Sequence, residues 1–107
     1  MGRADKYTLI YSPDIEDHLE FIDSKYYSLI REKTAEQLQF EPGIVTKNRK
    51  PLRPQTVLAA KWEIRFGPGN RFRVFYAFDE VLKEVYITAL GEKRKERLYI
   101  GGEETTL

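Results

Sequence analysis

Residues 61–90, KWEIRFGPGNRFRVFYAFDEVLKEVYITAL, alternate apolar and polar side chains through three segments separated by turn residues. A period of two belongs to a β-strand whose two faces meet different surroundings. In 61–66, Trp62, Ile64 and Phe66 share one face and Lys61, Glu63 and Arg65 the other. In 71–78, Phe72, Val74, Tyr76 and Phe78 oppose Arg71, Arg73, Phe75 and Ala77. In 83–90, Val85, Ile87 and Ala89 oppose Glu84, Tyr86, Thr88 and Leu90. Gly67-Pro68-Gly69-Asn70 and Asp79-Glu80 supply the turns, so the stretch predicts an antiparallel meander with one face packed on helices. The other face is expected to gather Arg65, Arg73, Tyr86 and Thr88. Side chains directly opposite on neighbouring strands lie about 5 Å apart, where like charges repel. Two guanidiniums there require Glu63 or a bound anion between them. Cations fixed on a sheet can orient a phosphate, which a flexible tail cannot.

Upstream, Lys6–Tyr11 (KYTLIY) reads as a first strand. Ser12 is placed to cap a helix, Pro13 suits its first position, and Asp14, Glu16 and Asp17 suit the positive end of its dipole. Ile15, Leu19, Ile22 and Tyr26 form a helical stripe, and Tyr27, Ile30, Ala35 and Leu38 a second one that Pro42-Gly43 ends. A break near Asp23-Ser24, with Ser24 as cap, predicts an antiparallel helix pair; a single long rod is the alternative, and it would overhang so small a domain. Thr46–Thr56 (TKNRKPLRPQT) reads as a basic loop, ordered by itself or by a partner. The predicted fold class is therefore α+β, with a small twisted antiparallel sheet of about four strands and an N-terminal helix pair on one face. The 107 residues form one domain, 1–107, that buries about two-thirds of its unfolded surface.

Charge divides along the chain. Residues 1–45 hold five Lys/Arg against nine Asp/Glu, and 46–107 thirteen against eight, so −4 and +5 make the net +1. Between Lys47 and Arg73 there are eight basic residues and one acid, Glu63. This reads as an acidic helical scaffold and a basic working surface. The absence of cysteine excludes disulfides and thiolate metal sites. No run approaches the roughly 20 apolar residues of a membrane span, and Met1–Lys6 lacks a signal peptide's apolar core. The expected location is the cytoplasm.

In order and spacing, the strand, helix pair, basic loop, Trp-Glu-Ile-Arg-Phe-Gly, Arg-Phe-Arg-Val-Phe-Tyr and the Gly-Glu-Lys-Arg-Lys-Glu-Arg-Leu-Tyr ending resemble the RelE/ParE family of bacterial toxin–antitoxin toxins over almost the whole chain. The resemblance implies a fold like that of the microbial ribonucleases. It also implies metal-independent cleavage of messenger RNA in the ribosomal decoding site, with no cofactor. The family's strand arginine corresponds to Arg65, its basic residue after the last strand to Arg94 or Lys93 (Glu92 being an extra residue), and its C-terminal tyrosine to Tyr99. Its loop lysines correspond to Lys47, Arg49, Lys50 and Arg53. Arg65 and Arg73 would stabilise the phosphorane, with Tyr99, Arg94, a loop lysine or Glu63 handling protons. Arg71, Lys93, Lys95 and Arg97 would extend the RNA- and ribosome-binding surface. His18, in the acidic helix, reads as a helix-surface residue. Expected partners are a cognate antitoxin, docked in a groove rimmed by Lys47–Arg53 and Lys93–Arg97, and the ribosome with its messenger. A ParE-like inhibitor of DNA gyrase and an inactive RNA-binding relative are the alternatives.

Overall fold

The computed structural model describes residues 6–52 and 60–106. Along the chain run β1 (Thr8–Tyr11), α1 (Asp14–Leu19), α2 (Tyr27–Leu38), β2 (Arg49–Pro51), β3 (Trp62–Phe66), β4 (Phe72–Asp79), β5 (Glu84–Arg94), β6 (Arg97–Ile100) and β7 (Glu103–Glu104). Among the described residues the sheet has seven strands rather than about four, in the order β2-β3-β4-β5-β6-β7, with β1 parallel to β5. The meander of β3, β4 and β5 is where the alternation placed it. The added strands are short pieces, β2, β6 and β7, that carry too few residues to show a period. β5 is also longer than its pattern suggested. Its first half pairs with β1 through Ile87, and its second half pairs with β6 from Gly91 to Arg94. The basic run after Leu90 is thus strand and hairpin. Lys95 and Glu96 make the turn, both at positive φ (47° and 70°), the geometry of a tight primed hairpin.

A register shift between Phe75 and Tyr76 in the β4–β5 ladder leaves Thr88 as the extra residue, a β-bulge. The bulge reverses which face β5 presents. Before it, Val85 and Ile87 join the core with Phe72, Val74 and Tyr76; after it Leu90 does, while Ala89 turns to the opposite face beside Phe75. This corrects the uninterrupted alternation expected for 83–90 and takes Thr88 out of the ladder, while Tyr86 is kept from the arginines by its distance along the strand. Thr88 donates its hydroxyl to Phe75 O. Tyr86 lies opposite Ala77, about 13 Å along β4 from Arg73 at 3.3 Å per residue, and donates to Glu84 Oε1 at 2.6 Å. That bond pushes the Tyr86 pKa up to about 12.

The helices differ from a packed pair. α1 is only six residues long, with Ser12 Oγ accepting the Asp14 N–H at 3.2 Å. A 3-10 turn (Ser24–Tyr26) then leads into α2. Its cap is Asp23, whose carboxylate accepts the Lys25 N–H at 3.0 Å, rather than Ser24. The extended backbone of Asp23 ends any continuous rod. α2 buries Ile30, Thr34 and Leu38, spaced by four along one side. Among the described residues, no helix is long and apolar enough to cross a membrane.

Candidate functional site

Two arginine pairs, each sharing a buried carboxylate, meet at the end of the sheet where the β3–β4 and β5–β6 turns lie. The first pair follows from strand register. Arg65 on β3 and Arg73 on β4 are direct partners on the face away from the helices. Glu63, two residues before Arg65 and on the same face, is buried between them. Arg65 Nη2 stands 3.5 Å from Glu63 Oε1 and Arg73 Nη1 3.7 Å from Glu63 Oε2. These separations exceed the 2.7–3.2 Å of an N–H···O hydrogen bond, so the three groups attract one another without exhausting their donors and acceptors. Glu63 Oε2 and Arg65 Nε are buried and have no hydrogen-bond partner among the described residues. Burial, then repulsion from Arg65, holds the Arg73 guanidinium below its ordinary pKa, and Glu63 opposes the shift.

The second pair is closed. Register places Glu92 opposite Phe72 and Tyr99 opposite Glu92, which puts both on the helix-facing side. Glu92 is buried, accepts from Arg71 Nε, and accepts from Arg94 Nη2 and Nε at 2.8 and 3.1 Å. The hydrogen bond to Glu92 is the main cause that raises the Arg71 pKa. Arg71 also reaches Tyr26 Oη at 3.3 Å, and Arg94 donates to Phe21 O at 3.1 Å. The Arg94 guanidinium covers the Tyr99 ring at 5.7 Å. Both guanidiniums are therefore engaged by tight, charge-assisted bonds.

A cavity of about 600 Å3 opens between the pairs, lined by Arg65, Arg71, Arg73, Lys93, Arg94 and Lys95. A second, of about 370 Å3, adjoins it and is lined by Glu63, Arg65, Arg73 and Lys93, with Glu104 and Thr105 of the C-terminal segment as a wall. Lys93 faces both. Tyr99 lines neither; it lies behind Arg94 on the other side of the sheet. Arg97 stands at the rim, paired with Glu104 at 3.1 Å.

The basic loop divides. Lys47 and Lys50 are exposed, and Lys50 lies opposite Glu63 on the arginine face. Arg49, expected on the RNA-facing surface, is buried: it donates to Gln37 O at 2.8 Å, Gln37 Oε1 at 2.9 Å and Ile44 O at 3.0 Å. It satisfies carbonyls at the end of α2, a structural duty that the charge of the loop concealed. Arg53 lies outside the described residues. His18 is half-buried rather than on the surface, and its Nδ1 accepts the Leu90 N–H at 3.2 Å. Burial lowers its pKa. Glu92 was legible only as an extra residue; its place under two arginines depends on the bulge, which carries no composition signal. Among the described residues no three His, Cys, Asp or Glu side chains are grouped to hold a metal.

With this geometry in view, the molecule is similar to a chain of the toxin–antitoxin complex RelBE2 from Mycobacterium tuberculosis. The TM-score is 0.67, over 87% of this chain and 98% of that one, at 22% identity. The fold is RelE-like. No family model matches the sequence, and no curated protein matches it. Within the RelE-like fold, the cationic cavity occupies the sheet end opposite the exposed Val81 and Leu82 of the β4–β5 turn.

Proposed function

We propose that this chain is the toxin of a type II toxin–antitoxin pair, an endoribonuclease that cleaves messenger RNA on the ribosome without a metal. The observation that carries the reading is the contrast between the two arginine pairs. Arg71 and Arg94 are committed to Glu92 by short bonds, whereas Arg65 and Arg73 face each other with unused donors beside a cavity. A phosphodiester gripped there meets two guanidiniums that match its oxygens in plane and charge. In-line attack of the 2′-oxygen on phosphorus, with its proton released to solvent, forms a bond as the P–O5′ bond breaks, and the departing 5′-oxygen takes up a proton from solvent, leaving a 2′,3′-cyclic phosphate and a 5′-hydroxyl. Arg65 and Arg73 stabilise the extra negative charge of the phosphorane between those states. Lys93, Lys95 and the Glu92-braced Arg71 and Arg94 hold flanking phosphates, and Lys47 and Lys50 extend the contact across the sheet face. Tyr99 supports Arg94 from behind.

The same reading supplies a partner. The similar structure is a toxin–antitoxin complex, and this chain carries an apolar groove of about 400 Å3 between α1, α2 and the sheet, lined by Tyr11, Ile15, Leu19, Tyr27, Ile30 and Leu90. An antitoxin segment would seat its apolar side chains there, on the helix side and apart from the cavity between the basic hairpins.

Inducing expression and mapping transcript 5′ ends tests the function. Wild type is expected to arrest translation with new 5′-hydroxyl ends in messenger. Arg65→Ala is expected to lower cleavage about 10²–10³-fold, the loss of one well-aimed donor. Intact messenger in arrested cells, with purified protein inhibiting DNA supercoiling, would replace this reading with the gyrase one.

A further inference from the structure

Two buried polar atoms in the cationic site have no hydrogen-bond partner among the described residues, and they belong to neighbouring side chains: Glu63 Oε2 and Arg65 Nε. Buried polar atoms are ordinarily hydrogen-bonded, and unsatisfied ones mark an incomplete site. Across the sheet end, the sister carboxylate Glu92 accepts three short bonds from its two arginines. Glu63 sits 3.5 Å from Arg65 and 3.7 Å from Arg73, and its Oε2 accepts no hydrogen bond among the described residues. Same-face arginines paired directly across two strands repel, and Glu63 is the buried anion within reach of both. The Glu63 side chain is almost wholly buried and only borders the second cavity.

We infer that Glu63 is the positioning residue of the site, holding the Arg65 and Arg73 guanidiniums at the spacing that a single phosphodiester bridges while leaving them donors to spare, Arg73 Nε alone among the described residues being taken up by a long bond of 3.4 Å to Asn70 O. This deepens the nuclease reading and rests on it. A tighter pairing, of the kind Glu92 makes, would saturate the arginines and compete with substrate. No pairing would let two like charges splay apart. The loose arrangement draws them together and leaves their hydrogen-bonding capacity for the ligand.

The consequence separates binding from turnover. Glu63→Gln keeps the shape and removes the negative charge, so the site becomes more cationic while its arginines lose their spacing. Affinity for an uncleavable 2′-O-methyl RNA oligonucleotide is expected to rise several-fold. Single-turnover cleavage of messenger on programmed ribosomes is expected to fall about 10²-fold, the usual penalty of a misplacement near 1 Å. Glu63→Asp keeps the charge on a shorter arm, and should retain wild-type affinity with cleavage still reduced. Equal cleavage by wild type and Glu63→Gln would overturn the inference and leave the nuclease reading standing. So would a proportionate loss of affinity and cleavage, which marks a merely structural carboxylate. If Glu63→Gln does not fold, Glu63→Asp decides: reduced cleavage at unchanged affinity supports the role, and unchanged cleavage overturns it. Wild-type protein that leaves messenger intact on programmed ribosomes sinks both readings together.

Discussion

Replacing Arg49 with alanine removes a guanidinium that donates to three oxygens of α2 and the loop after it. Replacing Lys50, its neighbour, removes an exposed ammonium on the arginine face. In the linear sequence both are cations of one basic loop, and strand alternation in β2 separates them, since Arg49 follows Ile64 to the helix side and Lys50 follows Glu63 to the other. Arg49→Ala is therefore expected to destabilise the fold by at least about 1.5–3 kcal/mol, the range for a hydrogen bond to a charged group, without weakening RNA binding below its melting temperature. Paired thermal melts and RNA titrations check this; lost affinity at unchanged stability would return Arg49 to the binding surface. The place of Arg65 on one face with Arg73, by contrast, was legible in the sequence because both strands show a clear period.

At the scale of elements, the union of α1 with β5 runs through His18, whose ring nitrogen accepts the Leu90 N–H just past the Thr88 bulge. A protonated imidazole cannot accept that bond. Burial lowers the folded-state pKa of His18 below its ordinary 6.5, against the opposing pull of Asp14 and Asp17. The unfolded chain thus binds more protons in the window just under pH 6.5. The contribution of His18 to stability is complete above that pH and is lost as pH falls through the folded-state value. Melting temperatures from pH 7.5 to 5 should drop more steeply for wild type than for His18→Gln, whose side chain titrates nowhere in the range. Parallel curves would show that the bond contributes nothing. The bulge that creates this contact was invisible beforehand, because Thr88-Ala89-Leu90 reads equally well as unbroken strand. Only the register of β4 against β5 exposes the extra residue.

For the whole molecule, the net charge of +1 understates a local concentration of cations at one sheet end, set beside an apolar groove on the helix side. Under the proposed function, long-range attraction and short-range packing would serve different ligands. Affinity for single-stranded RNA should fall with salt at a log–log slope of about −0.7 per phosphate gripped, and Lys50→Ala and Lys93→Ala should each make it shallower by about that amount. Binding of an antitoxin in the groove should respond to salt much less, because apolar contact is not screened. Equal slopes for the two ligands would place both on the cationic surface. Composition, hydrophobic period and turn residues by themselves determined an α+β chain with a three-strand meander, and they put Arg65 against Arg73, since those signals are local and repeat every second residue. Tertiary structure alone decided that Arg49 is internal, that Glu92 secures Arg71 and Arg94, and that Glu63 leaves the other arginines open. Those outcomes depend on register across strands distant in sequence, and a one-residue bulge moves every side chain beyond it to the opposite face.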